Sequence, residues 1–279
     1  MKVLRQGAQF KMLVASNNGV RVDARNAIRG EEHRCPGCNA EVVLKRGRKV
    51  IAHFAHKPPV DCSWGKGETH AHRHSKALVA DALTERGLHA EVEFVVETLT
   101  GDRRADVMTW HPDTGQAIAI KLQHSAIDLD NIETRARSYA SAGIAQLWIG
   151  FLSKNAKDKA FPDGKDRWKI EQYSARPFEN WISGFNMGKG FWMYDPFEGC
   201  FWNCEFSDHH TWVEETTRYD EYGEEHYHGG YWRNSKRWKE LTMRGPYDIA
   251  ELKLKLFTRS KAFGTSRYWW PAGRGATFS

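Results

Sequence analysis

Short apolar runs separated by turn residues fill the first part of the chain. KMLVAS, the turn Asn17-Asn18-Gly19 and VRVDA predict one hairpin, and EVVLK and KVIAHF on either side of Gly47 predict a second. Pro58, Pro59, Gly65 and Gly67 crowd one window, which sets the end of this first unit at residue 66. Residues 67–154 change period and read as helix, three strands, helix, strand. The first helix is expected over residues 68–86, with Gly87 as its stop. HAEVEFVVET then places Val92, Phe94 and Val96 on one face and Glu91, Glu93 and Glu97 on the other. RRADVMTW and QAIAIKLQ follow, joined by the turn Pro112-Asp113-Thr114-Gly115. A second helix is expected over residues 128–142, ended by Gly143. AQLWIGF is short and almost unbrokenly apolar, as a buried strand should be. Residues 155–279 are aromatic-rich and less regular. GFWMYD and CFWNCEF suggest a hairpin, DIAELKLKLF suggests a helix, and residues 209–240 show no clear period.

Composition changes this picture little. Charged residues at 27% and the AVILMFWYC set at 41% describe a globular chain. No run has the apolar core of a signal peptide or the roughly 18–20 apolar residues of a membrane span, so a soluble, cytoplasmic protein is expected. The charge distribution says more. Residues 1–66 hold 13 Lys/Arg against 5 Asp/Glu, while the remainder holds 28 against 30. Lys45, Arg46, Arg48 and Lys49 form the densest cluster, which reads either as a patch for nucleic acid or as a solvated hairpin tip.

Three of the five cysteines share one window with two histidines. Cys35-Pro36-Gly37-Cys38 is followed by His53-Phe54-Ala55-His56 and then Cys62. Two thiolates from a CxxC turn and two donors from a later hairpin make a zinc site. His53 and His56 face opposite sides of a strand, so one of them is expected to ligate. Four protein ligands leave no open position, which points to a structural Zn²⁺. The competing reading is buried thiols beside unrelated histidines. Cys200 and Cys204 are expected to be core cysteines.

A second constellation lies in the middle unit. Glu68, His72 and Lys76 are spaced i, i+4, i+8 and share a helix face. Asp106 lies on RRADVMTW, and Lys121 and Gln123 share one face of the next strand. An acid on a helix with polar residues on two adjacent strands can assemble a divalent-cation site, of the kind that hydrolyses phosphodiesters. Helix faces of this composition also occur simply because they meet water.

Taken together, RCPGC, IAHFAH, GETHAHRHSK, RRADVMTW, AIKLQHSAI and TRARSYASAGIAQLWI resemble the competence protein CoiA family. The resemblance covers residues 30–152 and extends weakly into PFENWISGF. It implies an α/β, restriction-endonuclease-like core (α-β-β-β-α-β) of the PD-(D/E)xK nuclease superfamily. An N-terminal zinc-binding β module would precede this core, and an aromatic-rich C-terminal region would follow it. It further implies that Asp106 and Glu68 bind Mg²⁺ or Mn²⁺ together with a glutamate at position 121, and that the Leu122 carbonyl adds a ligand. His72 and Lys76 complete the helix face, Gln123 orients the attacking water, and Lys76, Arg135 and Tyr139 serve nucleic-acid binding. Arg135 and Tyr139 read equally as helix packing. The implied partner is DNA, in transformation or phage defence, along with recombination proteins. One position departs from the pattern: residue 121 is Lys. A protonated lysine cannot ligate magnesium and repels it. The chain as written is therefore expected to be impaired as a nuclease, with Lys121 pairing to Asp106 and Glu68. Such a lysine suits a natural pseudoenzyme and an inactivating substitution alike. The rival reading is a non-catalytic nucleic-acid-binding protein on a nuclease scaffold, its C-terminal tryptophans stacking on bases.

Overall fold

The structure is a computed structural model that describes residues 11–57, 62, 64 and 68–279. Pro58, Pro59, Gly65 and Gly67, on which the first boundary was placed, lie outside the described residues. The N-terminal segment contributes β1 (Lys11–Met12), β2 (Val14–Asn17), β3 (Val20–Asp23), β4 (His33–Arg34), β5 (Glu41–Lys45) and β6 (His53–His56). They form one antiparallel sheet in the order β1-β6-β5-β4-β2-β3. Met12, Ala15, Val42 and Phe54 close its small core around Cys35 and Cys62.

Next come α1 (His70–Glu85), β7 (Ala90–Val92), β8 (Val95–Val96), β9 (Arg103–Arg104), β10 (Val107–Trp110), β11 (Ala117–Gln123), α2 (Leu129–Ser141) and β12 (Ala145–Phe151). The Thr69 hydroxyl accepts the His72 N–H at 3.2 Å and starts α1 two residues later than the pattern suggested. Gly143, at φ +70°, follows the end of α2 in the left-handed region. Two expected strands are each broken, between β7 and β8 and between β9 and β10. The register nevertheless runs through the breaks, from Val92↔Val107 to Val95↔Arg104, so the hairpin kinks without gaining or losing a residue. The kink centres on Glu93, a non-glycine residue at φ +52°.

β10 pairs antiparallel with β11, and β11 pairs parallel with β12. The two helices cover opposite faces of these strands. Ile118, Ile120 and Leu122 pack with Val79, Ala80 and Leu83 of α1, while Ala119 packs with Tyr139 of α2. β12 is buried along its whole length, as its apolar run required.

The sheet continues past residue 154. The remaining elements are α3 (Lys154–Lys159), β13 (Phe161–Pro162), β14 (Arg167–Tyr173), α4 (Pro177–Phe185), β15 (Phe191–Asp195), β16 (Cys200–Val213), β17 (Thr216–Tyr219), β18 (Glu225–His228), β19 (Tyr231–Tyr247), β20 (Leu254–Arg259), β21 (Phe263–Gly264), β22 (Trp269–Trp270) and β23 (Gly273–Phe278). The large sheet runs β13-β14-β19-β16-β15-β12-β11-β10-β7, and β23 bridges β12 and β20. The GFWMYD–CFWNCEF hairpin forms, with Phe191 opposite Cys204. DIAELKLKLF is not a helix. Its second half is β20, where half-buried Leu254 and Leu256 flank exposed Lys255 at period two against β23. Residues 209–240 form the outer part of a long ribbon made by β16 and β19, followed by the exposed pair β17–β18. No helix among the described residues is long and apolar enough to cross a membrane.

Candidate active site and metal centre

In the N-terminal sheet, the Cys35-to-Cys38 turn faces the end of β6. The ligand atoms of Cys35, Cys38, His56 and Cys62 all lie within 4.8 Å of one another. Cys35 Sγ is 3.8 Å from Cys62 Sγ, and Cys38 Sγ is 3.3 Å from His56 Nε2. Burial pushes the Cys35 thiol up to about 12, a cost that a cation bound to the thiolate would offset. Three thiols and one imidazole at this spacing fit a tetrahedral zinc. His53 is outside the group. It sits across the strand from His56, and its Nδ1 is 2.9 Å from the Ile51 carbonyl. Cys204 is fully buried, as expected of a core cysteine, whereas Cys200 is only half-buried, close to Asp195 and Glu198.

The second site lies at the kinked hairpin. Glu68 precedes the α1 cap, His72 and Lys76 follow on the first turns, Glu93 and Asp106 come from the two breaks, and Lys121 comes from β11. Register places Asp106 directly across from Lys121, one step beyond the Val107↔Ile120 pair. The Asp106 Oδ2 accepts from the Leu122 N–H at 2.9 Å and lies 2.8 Å from Lys121 Nζ. Lys121 also donates to the Arg104 carbonyl at 3.0 Å. Lys76 is fully buried and contacts Glu68, with Glu93 Oε1 at 3.1 Å and Asp106 Oδ1 at 3.6 Å. His72 bridges the two acids, its Nδ1 3.3 Å from Glu68 and its Nε2 3.7 Å from Asp106.

The two lysines differ in what surrounds them. Burial opposes the charge on both. Around Lys76 the carboxylates of Glu93, Glu68 and Asp106 prevail and hold its proton more tightly than usual. At Lys121 burial wins over the single partner Asp106, with Arg135 and Lys76 repelling, and its pKa falls to about 8. Asp106 is held well below the carboxylate range, because Lys121 and His72 outweigh its burial. Glu93 is likewise lowered against its burial by Lys76 and Arg104, whereas burial leaves Glu68 raised.

The arrangement does not fit a divalent cation as the chain stands. Both Asp106 oxygens face ammonium or N–H groups, the Lys76 ammonium occupies the space between the acids, and the Lys121 ammonium caps Asp106. Among the described residues, Glu68 and Asp106 belong to no close three-donor group. One donor is open: Glu68 Oε2 is buried without a hydrogen-bond partner.

Glu68, His72, Asp106 and Lys121 line a cleft of about 600 Å³ together with Trp64, Arg103, Arg104, Gln123, His124, Arg135 and Tyr139. Several expectations change on this geometry. Lys121 reaches Asp106 but not Glu68, which Lys76 and His72 hold instead. Lys76 is sealed among carboxylates and is not placed to touch nucleic acid. Gln123 Nε2 donates to the Ser125 carbonyl at 2.6 Å. Tyr139 is buried in the small cluster with Ala105, Met108 and Ala119, a buttress to the cleft wall, and Arg135 is exposed at the cleft. Lys45, Arg46, Arg48 and Lys49 are exposed but do not line the cleft. The Arg46 guanidinium is engaged by the carbonyls of Ala24, Arg25 and Ala27.

Glu93, Arg103, Arg104 and Trp64 were not singled out from the sequence. Strand alternation put Glu93 on a solvated face, and only the positive φ at that residue turns it inward. No signal in the sequence marks Glu93, because the full burial of Lys76, which requires more acid than Glu68 alone supplies, is visible only in the structure.

The profile of the competence protein CoiA N-terminal domain matches residues 19–65, and that of the competence protein CoiA nuclease-like domain matches residues 68–205. No curated protein matches the chain. A solved structure titled "Crystal Structure of Protein of Unknown Function AF1548" aligns at a TM-score of 0.24 and 16% identity, over 32% of this chain and 52% of that one. That likeness is too slight to carry an argument.

Proposed function

The chain belongs to the competence protein CoiA family, and from that premise we propose that it is a DNA-processing protein on a PD-(D/E)xK nuclease scaffold, with its cation position closed by Lys121. The observation that carries this reading is the 2.8 Å contact between Lys121 Nζ and Asp106 Oδ2. Asp106 is the strand carboxylate that a catalytic Mg²⁺ or Mn²⁺ would need. An ammonium group there neutralises the acid but supplies no Lewis acid to polarise a phosphate or activate water. Catalysis is accordingly silent in this chain, while the remaining parts of the site, Glu68, His72 and Gln123, stay in place around the cleft.

DNA binding does not depend on position 121. Arg103, Arg104 and Arg135 line the cleft, and guanidinium groups match phosphate oxygens in charge and geometry. This is what supports the second reading, a non-catalytic nucleic-acid-binding protein. The zinc, held by Cys35, Cys38, His56 and Cys62, would staple the N-terminal turns and take no part in chemistry. For a protein of this family, the proposed setting is the handling of incoming or foreign DNA.

Cation binding tests the reading. Titration with Mn²⁺, followed by calorimetry on zinc-loaded protein, should show no site at millimolar concentration in this chain and one site in Lys121→Glu. A site of equal affinity in both proteins would refute the closure by Lys121.

A further inference from the structure

Trp64 stands two residues beyond Cys62, and its backbone N–H donates to the Cys62 sulfur at 3.3 Å. Its ring presses on the CxxC turn. A Cβ placed on Gly37 would lie 2.8 Å from the ring atom Cε3, so only glycine at 37 admits the ring at this distance. The Arg104 guanidinium lies over the same ring, its Cζ 4.6 Å from the centroid. Trp64 and Arg104 both line the cleft. Arg104 Nη1 is buried without a hydrogen-bond partner, and the Arg104 carbonyl accepts from Lys121. The metal-ligating turn, one indole and one cleft guanidinium are therefore in direct succession.

We propose that Trp64 is a positioning residue through which the zinc knuckle aims Arg104 at a nucleic-acid phosphate in the cleft. The metal fixes the Cys35–Cys38 turn and Cys62, those fix the indole, and the indole face holds the guanidinium flat by cation–π attraction. Arg104, which lines the cleft, then meets a phosphate oxygen, an acceptor that matches the guanidinium in charge and shape. The knuckle is on this account one wall of the cleft. The inference rests on the reading of the cleft as a phosphate-binding site, and it adds the residue that ties that site to the metal.

The test is fluorescence anisotropy of a labelled single-stranded oligodeoxynucleotide with the full zinc-loaded chain, across a series of salt concentrations. The proteins compared are the chain itself, Trp64→Ala, Trp64→Phe, Arg104→Ala and the double variant Trp64→Ala/Arg104→Ala, with zinc content measured for each. Arg104→Ala should weaken binding and flatten the salt dependence by about one phosphate contact. Trp64→Ala should weaken binding about three- to tenfold, the range of a half-desolvated cation–π contact, while Trp64→Phe keeps most of the affinity. The double variant should bind no more weakly than Arg104→Ala, because the indole acts through that guanidinium. A chelator should weaken the intact chain and have no further effect on Arg104→Ala. Should Trp64→Ala lose its zinc or its fold, Trp64→Leu takes its place, filling the space against Gly37 without a π face. Losses from Trp64 and Arg104 that simply add, or a Trp64 variant that binds like the intact chain while Arg104→Ala binds weakly, would overturn the positioning role. If Arg104→Ala leaves affinity and salt dependence unchanged, the phosphate-binding reading of the cleft fails, and the inference falls with it.

Discussion

Lys76 and Lys121 are both buried in the same cluster, yet they have opposite relations to it. Lys76 meets three carboxylates, and removing its charge strands them. Lys76→Met should cost about 3–5 kcal/mol in urea unfolding, the usual result of breaking a buried ion pair from one side. Lys121→Met removes a cation that burial already disfavours and leaves Asp106 with the Leu122 N–H and His72. Its cost should be clearly smaller, and an equal cost would show that the two lysines share one role. The pH dependence separates them as well. Lys121 titrates at about 8 in the folded protein against an ordinary 10.5, so across that window the unfolded chain binds the extra proton. Stability gains a rising contribution with pH there, present in full above 10.5 and lost as pH falls through 8. Lys121→Met should abolish that contribution. Lys76, held above the same ordinary value, acts in the opposite sense only at higher pH.

Elements that obey one simple period were legible in the sequence. α1, α2, β11 and β12 fall within two residues of their expected bounds, because a helical stripe or an unbroken apolar run leaves few alternatives. The CxxC turn, Cys62 and one histidine of HFAH were legible because ligand spacing is a chemical constraint, while the choice of His56 over His53 came only with the strand geometry. The kinked hairpin was not. Strand alternation continues through HAEVEFVVET as though nothing happened, and the inward-turned Glu93 carboxylate is met by Lys76 and by the Leu13 N–H, 3.2 Å from Glu93 Oε2. Both partners are distant in sequence. β20 reads as helix in the sequence because leucine and lysine suit helices, but pairing with β23 fixes its period of two as a strand. The Cys/His cluster carries its own prediction. Purified protein never exposed to chelator should carry one zinc per chain by elemental analysis. Cys35→Ser should lower zinc content and destabilise the N-terminal sheet more than it alters the large sheet, a contrast readable by hydrogen exchange. Protein of full stability with no bound zinc would exclude the metal.

At the scale of the whole molecule, the N-terminal sheet and the nuclease-like core are joined at the site itself. Arg21 contacts the Val92 carbonyl and pairs with Glu91 at 2.9 Å, and Leu13 reaches Glu93. Arg21 therefore brings one positive charge of the N-terminal segment to the hairpin that carries Glu93, while Lys45, Arg48 and Lys49 stand outside the cleft lining. If Lys45, Arg48 and Lys49 contribute to DNA binding, neutralising these three should flatten the salt dependence of affinity by about 0.7 per lost contact on single strands. Arg46 is left in place because it holds three backbone carbonyls. An unchanged slope would confine the footprint to the cleft arginines.

The most direct test of the central claim is cleavage of single- and double-stranded DNA with Mg²⁺ or Mn²⁺. The proteins to compare are the chain as it stands, Lys121→Glu, and Lys121→Glu combined with Asp106→Ala. Metal-assisted phosphoryl chemistry supplies many powers of ten, so even partial restoration should be visible above background. The account predicts no cleavage by the chain, metal-dependent cleavage by Lys121→Glu, and loss of that cleavage when Asp106 is removed. Cleavage by the unaltered chain that survives Asp106→Ala would contradict it, as would a folded, cation-binding Lys121→Glu that cuts neither DNA nor RNA.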